Sequence, residues 1–76
     1  MIEIKMQSVV SSNISKIGYD KETQTLEVEF KTGKSYRYDD VPEPIYEGFL
    51  ITKSPGTYFR KMIIGGNYKF KKNIWV

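Results

Sequence analysis

The chain has 76 residues with no cysteine and no histidine. It is therefore one small domain without a disulfide framework, a thiolate or imidazole metal site, or a histidine general base. No apolar run approaches the ~18 residues of a membrane span. The opening MIEIKMQ also lacks the basic start and apolar stretch of a secretory signal, so a cytoplasmic protein with no membrane partner is expected. The net charge of +3 is unevenly spread: residues 1–52 hold six Lys or Arg against nine Asp or Glu, whereas residues 53–76 hold six Lys or Arg and no acid. Such asymmetry favours an anionic partner for the C-terminal third, or pairing of that third with the acidic part of the fold or of a second copy.

The predicted elements begin with strands. NISKIGYD reads as a strand with Ile17 and Tyr19 on one face and Gly18 marking a bulge or a close backbone approach. TLEVEF alternates Leu26, Val28 and Phe30 with Glu27 and Glu29, the period-two pattern of a strand with one buried face. Gly33 in KTGK suits a tight hairpin, after which SYRYDD puts Tyr36 and Tyr38 on one face and Arg37 on the other. The result is an antiparallel meander of three or more strands.

After DDVPEP the period changes. Pro42 and Pro44 open a helix over residues 43–52, with Ile45, Tyr46, Phe49 and Leu50 as its apolar stripe. A second helix is predicted over 55–64, with Ser54 as N-cap, Pro55 in its first position, Tyr58, Phe59, Met62 and Ile63 as the stripe, and Gly65-Gly66 as the stop. YKFKKNIWV is then a last strand or an arm docking on another subunit. The expected fold is small α+β: the meander packed against two short helices of the C-terminal half, in a single domain over residues 1–76.

In order and spacing, VVSSNISKIGYD, LEVEFKTGKSYRYDDVP and SPGTYFRKMI resemble the KTSC domain, a small module named after its place at the C-terminus of some lysyl-tRNA synthetases and also found as separate small proteins of bacteria and their viruses. The resemblance runs over roughly residues 9–68. It implies a nucleic-acid or nucleotide setting and brings no catalytic residue with it. Thr57 and Arg60-Lys61 depart from the family's usual pattern, with the consequence that the ligand preference can differ.

Two segments have the chemistry of an anion site. In SPGTYFRK the backbone N–H groups of Gly56 and Thr57 at a helix start would meet a phosphate, Ser54 would donate its hydroxyl, and Arg60 and Lys61 would add charge one turn on. The same residues are also simple capping with a solvated basic face. In VVSSNI, Ser11 and Ser12 would supply hydroxyls or N–H groups to a phosphate, or merely make the turn that starts a strand.

The chain holds one Trp, six Tyr and four Phe, rich for its size. Phe30, Tyr46, Phe49 and Phe59 are expected in the core, while Tyr19, Tyr36, Tyr38, Tyr58 and Trp75 could offer a ring face to a base. Tyrosine is also simply a good strand former.

Asp20, Asp39, Asp40, Glu43 and Glu47 sit at turns and a helix start, where they serve local structure, and an Asp39-Asp40 pair lacks the further ligands that Mg²⁺ needs. No enzyme, metal or cofactor is expected. Three functions remain: a binder that sequesters a nucleotide or cyclic oligonucleotide between subunits, an RNA-binding module of the tRNA type, and a protein-interaction module. A chain this short gains core by pairing with its own copy, so a homo-oligomer, at least a dimer, is expected. Light scattering at tens of micromolar, on the order of the dissociation constant of a weak association, should give at least twice the 8.9 kDa of one chain; a monomer there would count against a site shared between subunits.

Overall fold

The computed structural model describes residues 4–73. Five antiparallel strands follow one another in sequence order across one sheet: β1 (Met6–Ser8), β2 (Ile14–Asp20), β3 (Thr25–Phe30), β4 (Ser35–Tyr38) and β5 (Phe70–Asn73). Helices α1 (Glu43–Ile51) and α2 (Pro55–Phe59) lie between β4 and β5, and α2 runs directly into a π-helical turn over Arg60–Ile64. This is the expected small α+β fold, enlarged by an edge strand at each side of the three-strand meander. Within YKFKKNIWV the strand is Phe70–Asn73; Trp75 lies outside the described residues.

Register explains which side chains meet. Ile17 pairs with Val28 and Tyr19 with Leu26, while Val28 pairs with Tyr36 and Leu26 with Tyr38. All of these therefore share the helix-facing side. Strict alternation from Ile17 would turn Ile14 to the opposite side, yet Ile14 is fully buried. A register shift between Ile14 and Lys16 resolves this, because the extra residue restores Ile14 to the core face opposite Phe30. The bulge thus falls at Ser15, three positions from Gly18. The glycine has a different reason: a Cβ there would lie 2.6 Å from the Lys5 carbonyl oxygen and 2.7 Å from Met6 Sδ, so β1 can cross β2 only because it is absent.

Leu26, Val28, Ile14, Ile17, Val41 and Ile63 are essentially inaccessible, and Phe49, Tyr38 and Phe59 close the core around them. The opposite sheet face departs from the simple polar expectation. Glu27 is only 5% exposed; Arg37, directly across the ladder, donates from Nε to its Oε1 at 2.9 Å. Cross-strand charge pairing satisfies a carboxylate whose burial would otherwise cost several kcal/mol, roughly.

Both helices also differ in detail from their predicted stripes. In α1 only Phe49 is buried, and Leu50 stays 44% exposed, since the sheet below accepts one row of the stripe. Ser54 holds the N-cap position of α2 but makes no side-chain capping hydrogen bond. The α-helical pattern stops at Phe59, and a wider turn follows in which Gly65 N–H reaches the Arg60 carbonyl at 3.2 Å. Asn67, at φ 56°, supplies the left-handed residue after this turn; the glycines before it do not. Gly66 is needed for space instead, because a Cβ there would be 2.6 Å from the Tyr68 ring.

Val28→Asp should abolish cooperative folding, because it puts an unpaired carboxylate at a fully buried position of the central strand. Circular dichroism with a urea titration checks this. A soluble variant with a single sharp transition would overturn the core assignment.

Candidate functional site

The turn before β2 is held by Ser11. Its Oγ donates to Asn13 Oδ1 at 3.0 Å and accepts from the N–H groups of Asn13 and Ile14 at 3.4 and 3.3 Å. Ser11 therefore does the turn chemistry open to it, while Ser12 is exposed. Asn13 is fixed further by its own carbonyl, which accepts from Lys31 N–H at 2.9 Å. The bulge at Ser15 and this turn together carry the segment alongside the start of α2.

There the two sequence-predicted segments meet. Ser11, Ser12, Ser54, Gly56, Thr57 and Arg60 all line one hollow of about 290 Å³, together with Val10, Asn13, Lys53 and Pro55. Contact across it is close: a Cβ on Gly56 would approach Asn13 Oδ1 to 3.0 Å and Ser11 Oγ to 3.7 Å. Tyr58 N–H, bonded to the Ser54 carbonyl at 2.9 Å, is the first to take an intrahelical acceptor, so those of Gly56 and Thr57 remain as donors at the mouth. The α-helical part is only five residues long. Attraction for an anion therefore comes chiefly from Lys53 and Arg60 and from individual N–H groups, with little from an aligned helix dipole. Lys53 and Asn13 were not singled out in the sequence; Lys53 was visible only as one member of the basic third, and Asn13 only as part of a turn.

The other predicted residues lie elsewhere. Lys61 is exposed beside Arg60 but does not line the hollow. Tyr58 ties the helices together: its hydroxyl donates to the Ile45 carbonyl at 2.8 Å, its ring meets Phe49 edge-on at 4.7 Å, and only a glycine at 48 leaves it room, since a Cβ there would fall 1.9 Å from its hydroxyl. Tyr19 stacks on Tyr46 at 5.2 Å and donates to the Val41 carbonyl. Burial raises the pKa of both Tyr19 and Tyr58, with help from Glu43 and Asp20 for the first and from Tyr68 for the second.

Tyr36 and Tyr38 line a second hollow of about 420 Å³ with Phe30, Phe59, Ile64 and Phe70. Phe30 thus sits at a wall rather than in the core centre, and Tyr38 is the buried one. Among the described residues, no group of three or more acidic side chains comes together to hold a metal ion. Likewise no described helix is long and apolar enough to cross a membrane.

The family model of the KTSC domain matches residues 10–68. The chain belongs to the KTSC domain family. The crystal structure of a KTSC domain protein from Yersinia pestis superposes with a TM-score of 0.81 at 35% identity, over 93% of this chain and 99% of that one. An uncharacterised protein of Stutzerimonas stutzeri (strain A1501) is 36% identical over 67 residues, which is 88% of this chain and 94% of its own length. A lysine–tRNA ligase of Nostoc punctiforme is 38% identical over 61 residues, 80% of this chain but only 11% of the ligase. The KTSC domain thus occurs both nearly alone and as a small part of a much larger protein.

Burial, aided by the neighbouring Tyr36, pushes the Tyr38 phenol up to about 12 from its ordinary 10.0. The folded state then holds this proton more tightly than the unfolded state. Its contribution is complete below pH ~10 and is lost as the pH rises towards ~12. Tyr38→Phe should remove part of the alkaline loss of stability while leaving the midpoint at pH 7 nearly unchanged. Urea titrations at pH 7 to 12 decide this; equal alkaline losses in both proteins would contradict the burial of an ionisable phenol there.

Proposed function

We propose that this KTSC domain is a non-enzymatic binder of a phosphate-bearing ligand, a nucleotide or cyclic oligonucleotide that it sequesters in the cytoplasm, with two subunits closing over the ligand. One observation carries the reading: two segments far apart in the chain, each with anion-binding chemistry, line the same polar hollow with Arg60 and Lys53. Hydroxyls, N–H groups and two cations on one concave surface offer a phosphate many donors. The hollow is open, and a second copy would give a small ligand the enclosure that one chain lacks.

RNA is the second reading. It is favoured by the lysine–tRNA ligase relatives and by Lys69, Lys71 and Lys72 at the β5 edge. Salt separates the two: a polyanion loses affinity steeply and log-linearly as salt rises, and gains it with chain length.

Arg60→Ala should weaken binding of a nucleotide by roughly 1.5–3 kcal/mol, the scale of a hydrogen bond to a charged group. Gly56→Val should weaken it as well, because its side chain would fill the hollow and displace Asn13. Ser54→Ala should leave stability almost unchanged, since its hydroxyl caps nothing. Calorimetric titration beside melting curves reads all three. Undiminished affinity in both Arg60→Ala and Gly56→Val would remove the anion site.

A further inference from the structure

Asn13 lines both hollows, so the polar one and the aromatic one meet at that residue. Their chemistry is complementary. On one side lie Ser11, Gly56 and Arg60; on the other, Phe30, Tyr36, Ile64 and Phe70 form apolar walls with Lys34 at the rim. Phe30 meets Tyr36 edge-on at 5.8 Å, and Tyr36 meets Phe70 at 5.8 Å in the same manner. Ile64 is 55% and Phe70 57% exposed, so an aromatic and an aliphatic side chain are both accessible to a partner. Phe59 and Tyr38, both nearly inaccessible, line the same hollow with rings 5.8 Å apart.

We propose that the aromatic hollow is a ring pocket that receives the nucleobase of the ligand whose phosphate occupies the polar hollow, with the sugar passing over Asn13. This rests on the phosphate reading above and adds to it a second half of the site. A base fits the chemistry on both counts: its flat face stacks on exposed aromatics, and its tether carries the negative charge that Lys53, Arg60 and Lys34 attract. An aliphatic or peptide occupant would satisfy the rings but leave the adjoining cations without a partner. Asn13 is the positioning residue between the halves. Its Oδ1 is held by Ser11, which turns its amide N–H groups into fixed donors for a sugar hydroxyl or a phosphate oxygen.

The test uses the intact chain and titration calorimetry. Probes are ATP, GTP, CTP, UTP, cyclic di-AMP and cyclic di-GMP, with inorganic triphosphate as the control that carries charge but no ring. At least one ring-bearing probe should bind about tenfold or more tighter than triphosphate, the scale of one stacked base. Phe70→Ala should erase that advantage without changing triphosphate affinity, Phe70→Tyr should restore it, and Arg60→Ala should weaken nucleotide and triphosphate alike. Phe70 is half-exposed on an edge strand, so its variants are expected to fold, and melting curves verify that. If Phe70→Ala keeps full nucleotide affinity, or no nucleotide exceeds triphosphate, the ring pocket is overturned while the phosphate site stands. If no probe binds at about 1 mM, both are overturned. Affinity that appears only with RNA oligonucleotides of increasing length, and falls steeply with salt, would also overturn the ring pocket and transfer the surface to RNA.

Discussion

The bulge at Ser15 is the constraint on which the rest depends. A strand read strictly in twos cannot bury both Ile14 and Ile17 on one face, yet both are fully buried. One extra residue resolves the conflict and bends the strand. The bend has a second effect, since it directs Val10 to Asn13 towards α2, where Ser11 and Asn13 close around Gly56. Core packing and site assembly are thus outcomes of one backbone irregularity. Isoleucine burial stabilises it, at roughly 1.5–3 kcal/mol per side chain.

Aromatic residues divide by the end of the sheet they occupy. Near α1 they are committed to structure: Tyr19 stacks on Tyr46 and bonds to the loop at Val41, and Tyr58 crosses onto Gly48 and Ile45. Both hydroxyls meet backbone carbonyls, as buried phenols usually must. Towards β5 the rings form a continuous run from Phe30 through Tyr36 to Phe70, with Tyr38 beneath. Phe59 of α2 packs edge-on against Phe30 and Tyr38 there, while Phe70 on the edge strand stays 57% exposed. A partly exposed aromatic hollow that shares Asn13 with a cationic one is the physical basis of the proposed ligand site.

Charge follows the same division. Glu27 and Arg37 neutralise each other on the far face of the sheet, and Lys21 approaches Glu43 at 3.7 Å where both side chains are largely solvated, a contact of little energetic weight. Lys53 and Arg60 lie at the polar hollow. Lysines on β5 would also discourage edge-to-edge pairing of the sheet. The basic C-terminal third therefore supplies the cations of the proposed anion site and the charged side chains of an edge strand.

Period-two alternation in TLEVEF, the glycine of KTGK at φ 92° and the proline-led helix starts are local signals, and the meander, both helices and the family pattern were legible from them. So was the chemistry of each segment proposed to meet an anion, because hydroxyls, glycine and arginine declare their capabilities without a fold. β1 was harder to see: three residues give too short a pattern, although Ile4 and Met6 alternate, and its place depends on Gly18 across the ladder. The burial of Glu27 depends on a partner from another strand. So does the distinction between Tyr58, committed to α1, and Tyr36, open at a wall, since both are tyrosines beside apolar neighbours in sequence. Only the tertiary structure could decide that Ser11 and Gly56 share a hollow and that Asn13 joins it to the aromatic one. Those juxtapositions arise from a register shift and a helix-to-sheet packing angle, which long-range contacts set.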